Sequence, residues 1–350
     1  MIRIYNMKTP KELGYYFPAE WVKHASTWLS YPHNENSWPD KIETIFPYYN
    51  EFIKELSKGE IVNINILDSS MKERVEKELK EIGVDMSKIV FHDFKTNDAW
   101  CRDHGGAILL NRNEQKRALV DWDYNAWGGK YPSELDNKIP SQMADYLNLE
   151  VFRPNIVMEG GAVEFNGKGT LITTKACLLN ENRNPSLNQK QIEEKLIEFY
   201  GVDNIIWLED GIEGDDTDGH VDDITRFVNE DTVVTVVEEN KNDFNHAPLK
   251  ENLNILKKSR LENGKQLNVV ELIMPETVIW EDQRLPASYA NFYISNEAVI
   301  VPVFNSKNDN KAIYTLEECF KDRKVVGINS LDIIWGLGSF HCLSQQEPEP

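Results

Sequence analysis

Apolar residues recur at three- and four-residue spacing in six stretches, and each predicts an amphipathic helix: IETIFPYYNEFIKELSKG, MKERVEKELKEIG, PSQMADYLNLE, NQKQIEEKLIEFYG, PLKENLNILKKSRLENG and AIYTLEECFKD. Most are soon followed by a short run that reads as a strand: IVNINIL, IVFHDF, VFRP, IIWL, LNVVELIM and KVVGI. Several strands also come in pairs before the next helix, as in GAVEFNG with GTLITTKACLL, and DITRFVNE with TVVTVVEE. A β-β-α-β unit thus recurs about every 50 to 70 residues, a spacing that predicts a repeat architecture. No Pro-, Ser- or Gly-rich linker interrupts the pattern, so the expectation is one continuous α/β domain over residues 1–350.

Composition narrows the class. A hydrophobic fraction of 41% with 10% aromatics is that of a globular chain. The N-terminal MIRIYNMKTPKELGYYFPAEW breaks its apolar residues with Lys, Pro and Glu, and runs such as AVIVPVF are too short to cross a bilayer, so a cytoplasmic protein is expected. A net charge of −20 disfavours nucleic acid and anionic membranes as partners and weakly concentrates cationic ligands. The four cysteines Cys101, Cys177, Cys319 and Cys342 lie far apart without a CxxC pair, which argues against a disulfide framework and a zinc ribbon.

The chemistry gathers where strands meet glycine-rich turns. Cys342, in GLGSFHCLSQQEP, has small residues opening its approach and is the candidate nucleophile. In NDAWCRDHGG, Trp100 and Asp103 form a candidate cation clamp of an indole face and a carboxylate, although Asp103 could equally pair with Arg102 or cap the turn. In GDDTDGHVDDITRF an extended HVD segment would project His220 and Asp222 to one side, a proton shuttle beside a charge partner; Asp215, Asp216 and Asp218 read as a solvated turn. Glu159, in MEGGAVEF at the start of a hairpin, could orient the histidine, bind one end of a substrate or stand as an exposed turn acid. Asn184 and Ser186 are candidate helix caps, and Cys101, Cys177 and Cys319 read as inert buried thiols. A zinc site from Cys101, His104, His341 and Cys342 would have poor ligand geometry. A thiol, a histidine and paired carboxylates together describe a site for a planar guanidinium cation.

AEWVKHASTWLSYPHNENSWP, NDAWCRDHGG, NAWGGK, MEGGAVEFNGKGTLITT, LLNENRNP, DDTDGHVDDITRFV and HCLSQQEP, in that order, resemble the agmatine deiminases and the wider agmatine/peptidylarginine deiminase group. The resemblance spans essentially the whole chain. It implies a five-bladed α/β propeller of ββαβ modules around a pseudo-fivefold axis, the fold of the guanidino-group-modifying superfamily. By motif position it implies Cys342 as nucleophile, His220 as general acid/base, Asp103 and Asp222 as guanidinium-binding carboxylates, and Trp100 and Glu159 as supporting residues. Gly106 stands where the group usually has proline, and GLGSFHCLS replaces GGGNIHCIT. The implied reaction is hydrolysis of agmatine to N-carbamoylputrescine and ammonia, a step toward putrescine and polyamines, with no metal or organic cofactor. The implied partner is a small cationic guanidino substrate, and a homo-oligomer is compatible with the sequence. A deiminase of peptidylarginine or free arginine would share this chemistry. A His–Cys protease would leave the carboxylates without a role, and a non-catalytic guanidinium- or polyamine-binding protein could dispense with the thiol.

Overall fold

In a computed structural model describing residues 8–350, the predicted repeat is realised as five mixed sheets of three or four strands and one small hairpin. The second sheet shows the plan: Val163–Phe165 and Thr170–Thr174 pair antiparallel, the helix Gln189–Tyr200 crosses over, and Asn204–Leu208 returns parallel to Thr170–Thr174. The same order recurs in Ala107–Asn111, Arg117–Val120 and Glu150–Phe152, in Thr225–Asn229, Thr232–Val237 and Asn268–Ile273, and in Tyr293–Ile294, Ala298–Val303 and Lys324–Asn329. A parallel return requires a crossover, which is why every unit carries a helix. The fifth sheet takes its antiparallel strand from the far end of the chain: Ser344–Pro348 pairs with His24–Ser30, which runs parallel to Ile61–Asn65.

Helix faces follow the predicted spacing. Ile42–Ser57 buries Ile45, Tyr49, Phe52, Ile53 and Leu56, which pack with Val62 of its own sheet and with Tyr293 and Ile300 of the next. Gln189–Tyr200 starts in a capping box between Asn188 and Gln191 and stops at Gly201, whose φ of 68° ends the helix at little steric cost. Asn188, not Asn184 or Ser186, is therefore the cap.

Two expectations need correction. The stretch PLKENLNILKKSRLENG is helical only over its first part, within His246–Leu256; Arg260 and Gln266 then bridge across a turn at Gly264, a tertiary pairing that overrides the helical spacing. GTLITTKACLL leaves its strand at Thr174, whose hydroxyl caps the short helix Lys175–Leu178. Among the described residues no helix is long and apolar enough to cross a membrane.

Candidate functional site

The segment just before the first strand of each sheet carries one part of the site. Asp103 precedes Ala107–Asn111, Glu159 precedes Val163–Phe165, His220 and Asp222 precede Thr225–Asn229, Asn291 precedes Tyr293–Ile294, and Cys342 precedes Ser344–Pro348. Repetition of one supersecondary unit brings residues as far as 120 positions apart into contact: Cys342 Sγ lies 3.6 Å from Asp222 Oδ2 and 3.0 Å from Asn291 Nδ2.

Gly161 marks the centre. A Cβ added there would fall 2.6 Å from His220 Nδ1, 2.9 Å from Asp103 Oδ1 and 3.0 Å from Asp222 Oδ2, so these groups converge on the space left by the missing side chain. Gly161 also donates its backbone N–H to Asp103 Oδ1 at 2.9 Å. The predicted HVD strand is instead a 3₁₀ turn, Val221–Asp223, with His220 as its N-cap. The turn still directs His220 and Asp222 to the same space.

The catalytic candidates are buried, and their free atoms are informative. His220 Nδ1 is 3.8 Å from Asp103 Oδ1 and its Nε2 is 3.8 Å from Glu159 Oε2, beyond hydrogen-bond reach but within ion-pair range. Neither ring nitrogen, nor Asp222 Oδ1, has a hydrogen-bond partner. Buried polar atoms are rarely left unpaired, and the free Asp222 oxygen is an acceptor open to an N–H donor of a ligand.

Asp103 is further held by the indole N–H of Trp127, 2.9 Å from its Oδ2. To aim that indole, Ala126 and Trp127 adopt φ values of 50° and 55°, a left-handed pair costing about 1–3 kcal/mol per residue that the surrounding structure must offset. Trp100 lines the cleft, but one of its faces is stacked on Trp38 with centroids 5.3 Å apart, and Gly336 and Gly338 pack against its ring. Gly106 faces Leu119 and has no place in the cleft lining.

Glu159 is neither exposed nor free. It is fully buried and accepts a 2.6 Å hydrogen bond from Arg183 Nε, while Arg183 Nη1 reaches Asp218 Oδ2, also at 2.6 Å. Arg183 belongs to the stretch read as a cap and turn. Asn184 there clasps the backbone of Val157 on both sides. The acids expected in a solvated turn also act structurally: Asp215 accepts from the backbone of Thr217, Gly219 and His220, and Asp216 and Asp218 pair with Lys130. His341, adjacent to the thiol, bridges Asp222 Oδ2 at 2.6 Å and Glu20 Oε2 at 2.9 Å, and Glu20 is gripped by Arg102 and Arg226. Sequence reasoning gave Arg183, His341, Glu20 and Asn291 no part in the site because each takes its role from partners that no local pattern places beside it.

The charges shift as this packing dictates. Burial, and then Asp222, Asp223 and Asp103, push the Cys342 thiol well above its ordinary range. Burial works against protonation of His220, yet Asp103 and then Cys177 and Glu159 raise it well above the usual histidine value. Burial also opposes the Asp222 carboxylate, but His341, His220 and Arg226 hold it below its normal range. Asp103 is raised by burial, partly relieved by His220. Among the other thiols, burial pushes Cys101 up to about 12, and Cys177 is raised by burial and by Glu159, 3.8 Å away.

Cys342, Asp103 and Trp100 line a cleft of ≈ 640 Å³. Its wall holds Asp40, Asp98, Asp216 and Glu281 against a single base, Lys41, already bound to Asp332 at 2.9 Å and lying 4.4 and 4.7 Å from the ring centres of Trp280 and Trp335. Among the described residues the groups with metal-ligand spacing are Glu159 with Cys177 and His220, and Asp222 with Asp223 and Cys342; Cys101, His104, His341 and Cys342 do not form one.

The profile of the Porphyromonas-type peptidyl-arginine deiminase family matches residues 16–348. A Legionella pneumophila protein provisionally named an agmatine deiminase is 36% identical over 98% of each chain. An agmatine deiminase of Enterococcus faecalis superposes with a TM-score of 0.92 at 29% identity, covering 98% of each chain. A substrate-bound agmatine deiminase of C. jejuni superposes with a TM-score of 0.87 at 34% identity, covering 95% of this chain and 96% of that one.

Proposed function

The chain belongs to the Porphyromonas-type peptidyl-arginine deiminase family, and from that premise we propose that it hydrolyses agmatine to N-carbamoylputrescine and ammonia. The observation that carries the reading is the convergence of His220, Asp103 and Asp222 around Gly161 with the Cys342 thiol 3.6 Å from Asp222: two carboxylates to take the charge and N–H edge of a guanidinium, beside a nucleophile and an imidazole. Its five sheets are the blades of a five-bladed α/β propeller about a pseudo-fivefold axis, in one catalytic domain. The recurrence of a site residue before the first strand of each sheet supports that arrangement.

Before substrate binds, burial and the surrounding carboxylates favour the thiol form of Cys342, and Asp103 with its neighbours favours the imidazolium form of His220. Binding of the guanidinium by Asp103 and Asp222 cancels much of the carboxylate field, and the thiol proton leaves to solvent. The thiolate attacks the guanidinium carbon to give a tetrahedral adduct, His220 protonates the departing ammonia, and a Cys342 thiouronium remains. His220, now neutral, takes a proton from the attacking water; collapse of the second adduct expels the thiolate and the ureido product.

The cleft wall favours agmatine over free arginine. The α-carboxylate of arginine would enter among Asp40, Asp98, Asp216 and Glu281, with Lys41, the one lining base among the described residues, already engaged. Assay of agmatine, free arginine and an arginine-containing peptide side by side tests the reading. Ureido product from agmatine alone is expected; faster turnover of either alternative would overturn the assignment.

A further inference from the structure

Asn291 occupies the position in the fourth sheet that Cys342 occupies in the fifth, two residues before the first strand. Its side chain is buried and its orientation is determined on four sides. Oδ1 accepts from the backbone N–H of His341 at 3.1 Å and of Cys342 at 3.3 Å. Nδ2 donates to Asp223 Oδ1 at 2.9 Å and to Cys342 Sγ at 3.0 Å. A flipped amide would set its oxygen against a carboxylate and the sulfur, and its NH₂ against two N–H groups, so only one orientation is consistent.

We propose that Asn291 is a catalytic residue whose amide N–H holds Cys342 Sγ in place and stabilises the thiolate that attacks the substrate. The proposal rests on the reading of Cys342 as nucleophile. The surroundings explain the need: Asp222, Asp223 and Asp103 all oppose negative charge on the sulfur, and the Ser339 backbone is the further group that favours it. An amide donates a hydrogen bond there without bringing a cation that would compete with the guanidinium for Asp103 and Asp222. Asp223 completes the design. Its Oδ1 accepts the second amide N–H at 2.9 Å and so fixes the orientation that aims the other N–H at the sulfur. A purely structural asparagine would need only the two backbone contacts of Oδ1.

The test is alkylation of Cys342 by neutral iodoacetamide, followed on the Cys342 peptide by mass spectrometry from neutral to alkaline pH. Wild type is compared with Asn291→Ala and with the near-isosteric Asn291→Leu, which removes the N–H without placing a charge beside the sulfur. Both variants should react about tenfold more slowly at neutral pH, with the midpoint moved alkaline and the rate regained there. In a Cys342→Ser background, Asn291→Ala should change agmatine affinity less than about threefold, because the amide touches sulfur rather than the guanidinium site. An unmoved midpoint overturns the proposal, as does a uniform slowing at every pH, which would signal altered access. Should Asn291→Ala fail to fold, the Asn291→Leu profile decides. Since alkylation needs no substrate, absence of ureido product in wild type would refute the agmatine reading without touching this result.

Discussion

At Gly161 space rather than backbone freedom requires glycine: its φ is not in the left-handed region, and a Cβ would meet His220, Asp103 and Asp222. Gly161→Ala should therefore push His220 and Asp103 apart, and agmatine binding by calorimetry should fall far more than the melting temperature does; binding unchanged from wild type would show that these groups do not hold the cation. Asp103 and Asp222 make the complementary contribution. Asp103→Asn or Asp222→Asn preserves shape while removing a charge-assisted contact, and kcat/KM should fall at least about 10²-fold, roughly 3 kcal/mol. Near-full activity in both variants would show that the cation sits elsewhere. The residues of this inner group that carry their own chemistry, Cys342, His220, Asp103 and Asp222, are legible in the sequence because thiol, imidazole and carboxylate in glycine-rich strings stand out. Asn291 and His341 are not, since an amide and a second histidine acquire meaning only from what faces them across the site.

The elements that hold these residues are short. Glu159 stands before a 3₁₀ turn, His220 caps another, and neither turn is stable alone. Arg183 ties them together by pairing with Glu159 and with Asp218 of the loop leading to His220. Arg183→Met would strand the buried Glu159 charge, and a loss of about 3–5 kcal/mol in denaturant unfolding is expected. A loss below about 1 kcal/mol would show that the pair is not structural. The long helices were readable from their spacing because each buries one apolar stripe. The fifth sheet was not, because His24–Ser30 and Ser344–Pro348 pair across almost the whole chain and no local pattern records that partnership. The same limit applies to the acids of the Asp215–Asp218 turn, which look solvated in isolation but cap backbone N–H groups and meet Arg183 in the fold.

Across the whole molecule, a net charge of −20 accompanies a cleft whose wall carries Asp40, Asp98, Asp216 and Glu281, and burial with nearby carboxylates raises the Cys342 thiol that lines it. The pH dependence follows from the directions of two shifts. The thiol is raised, so the active thiolate becomes more abundant as pH climbs, and kcat/KM should still be rising at about 8.5, the ordinary thiol value. His220 is also raised, so its imidazolium survives above about 6.5 and the descending limb is displaced to alkaline pH. A bell centred on the alkaline side is expected from steady-state rates; one centred below neutrality would contradict both shifts.

The most direct measurement treats the enzyme with 2-chloroacetamidine, a cation that copies the guanidinium edge and carries an electrophile, alongside the neutral 2-chloroacetamide. The account predicts one label per chain, on Cys342, formed much faster by the cation, blocked by agmatine and accompanied by proportional loss of activity. Inactivation through Cys101, Cys177 or Cys319, equal rates for the two reagents, or labelling indifferent to agmatine would contradict a thiol poised on a guanidinium site.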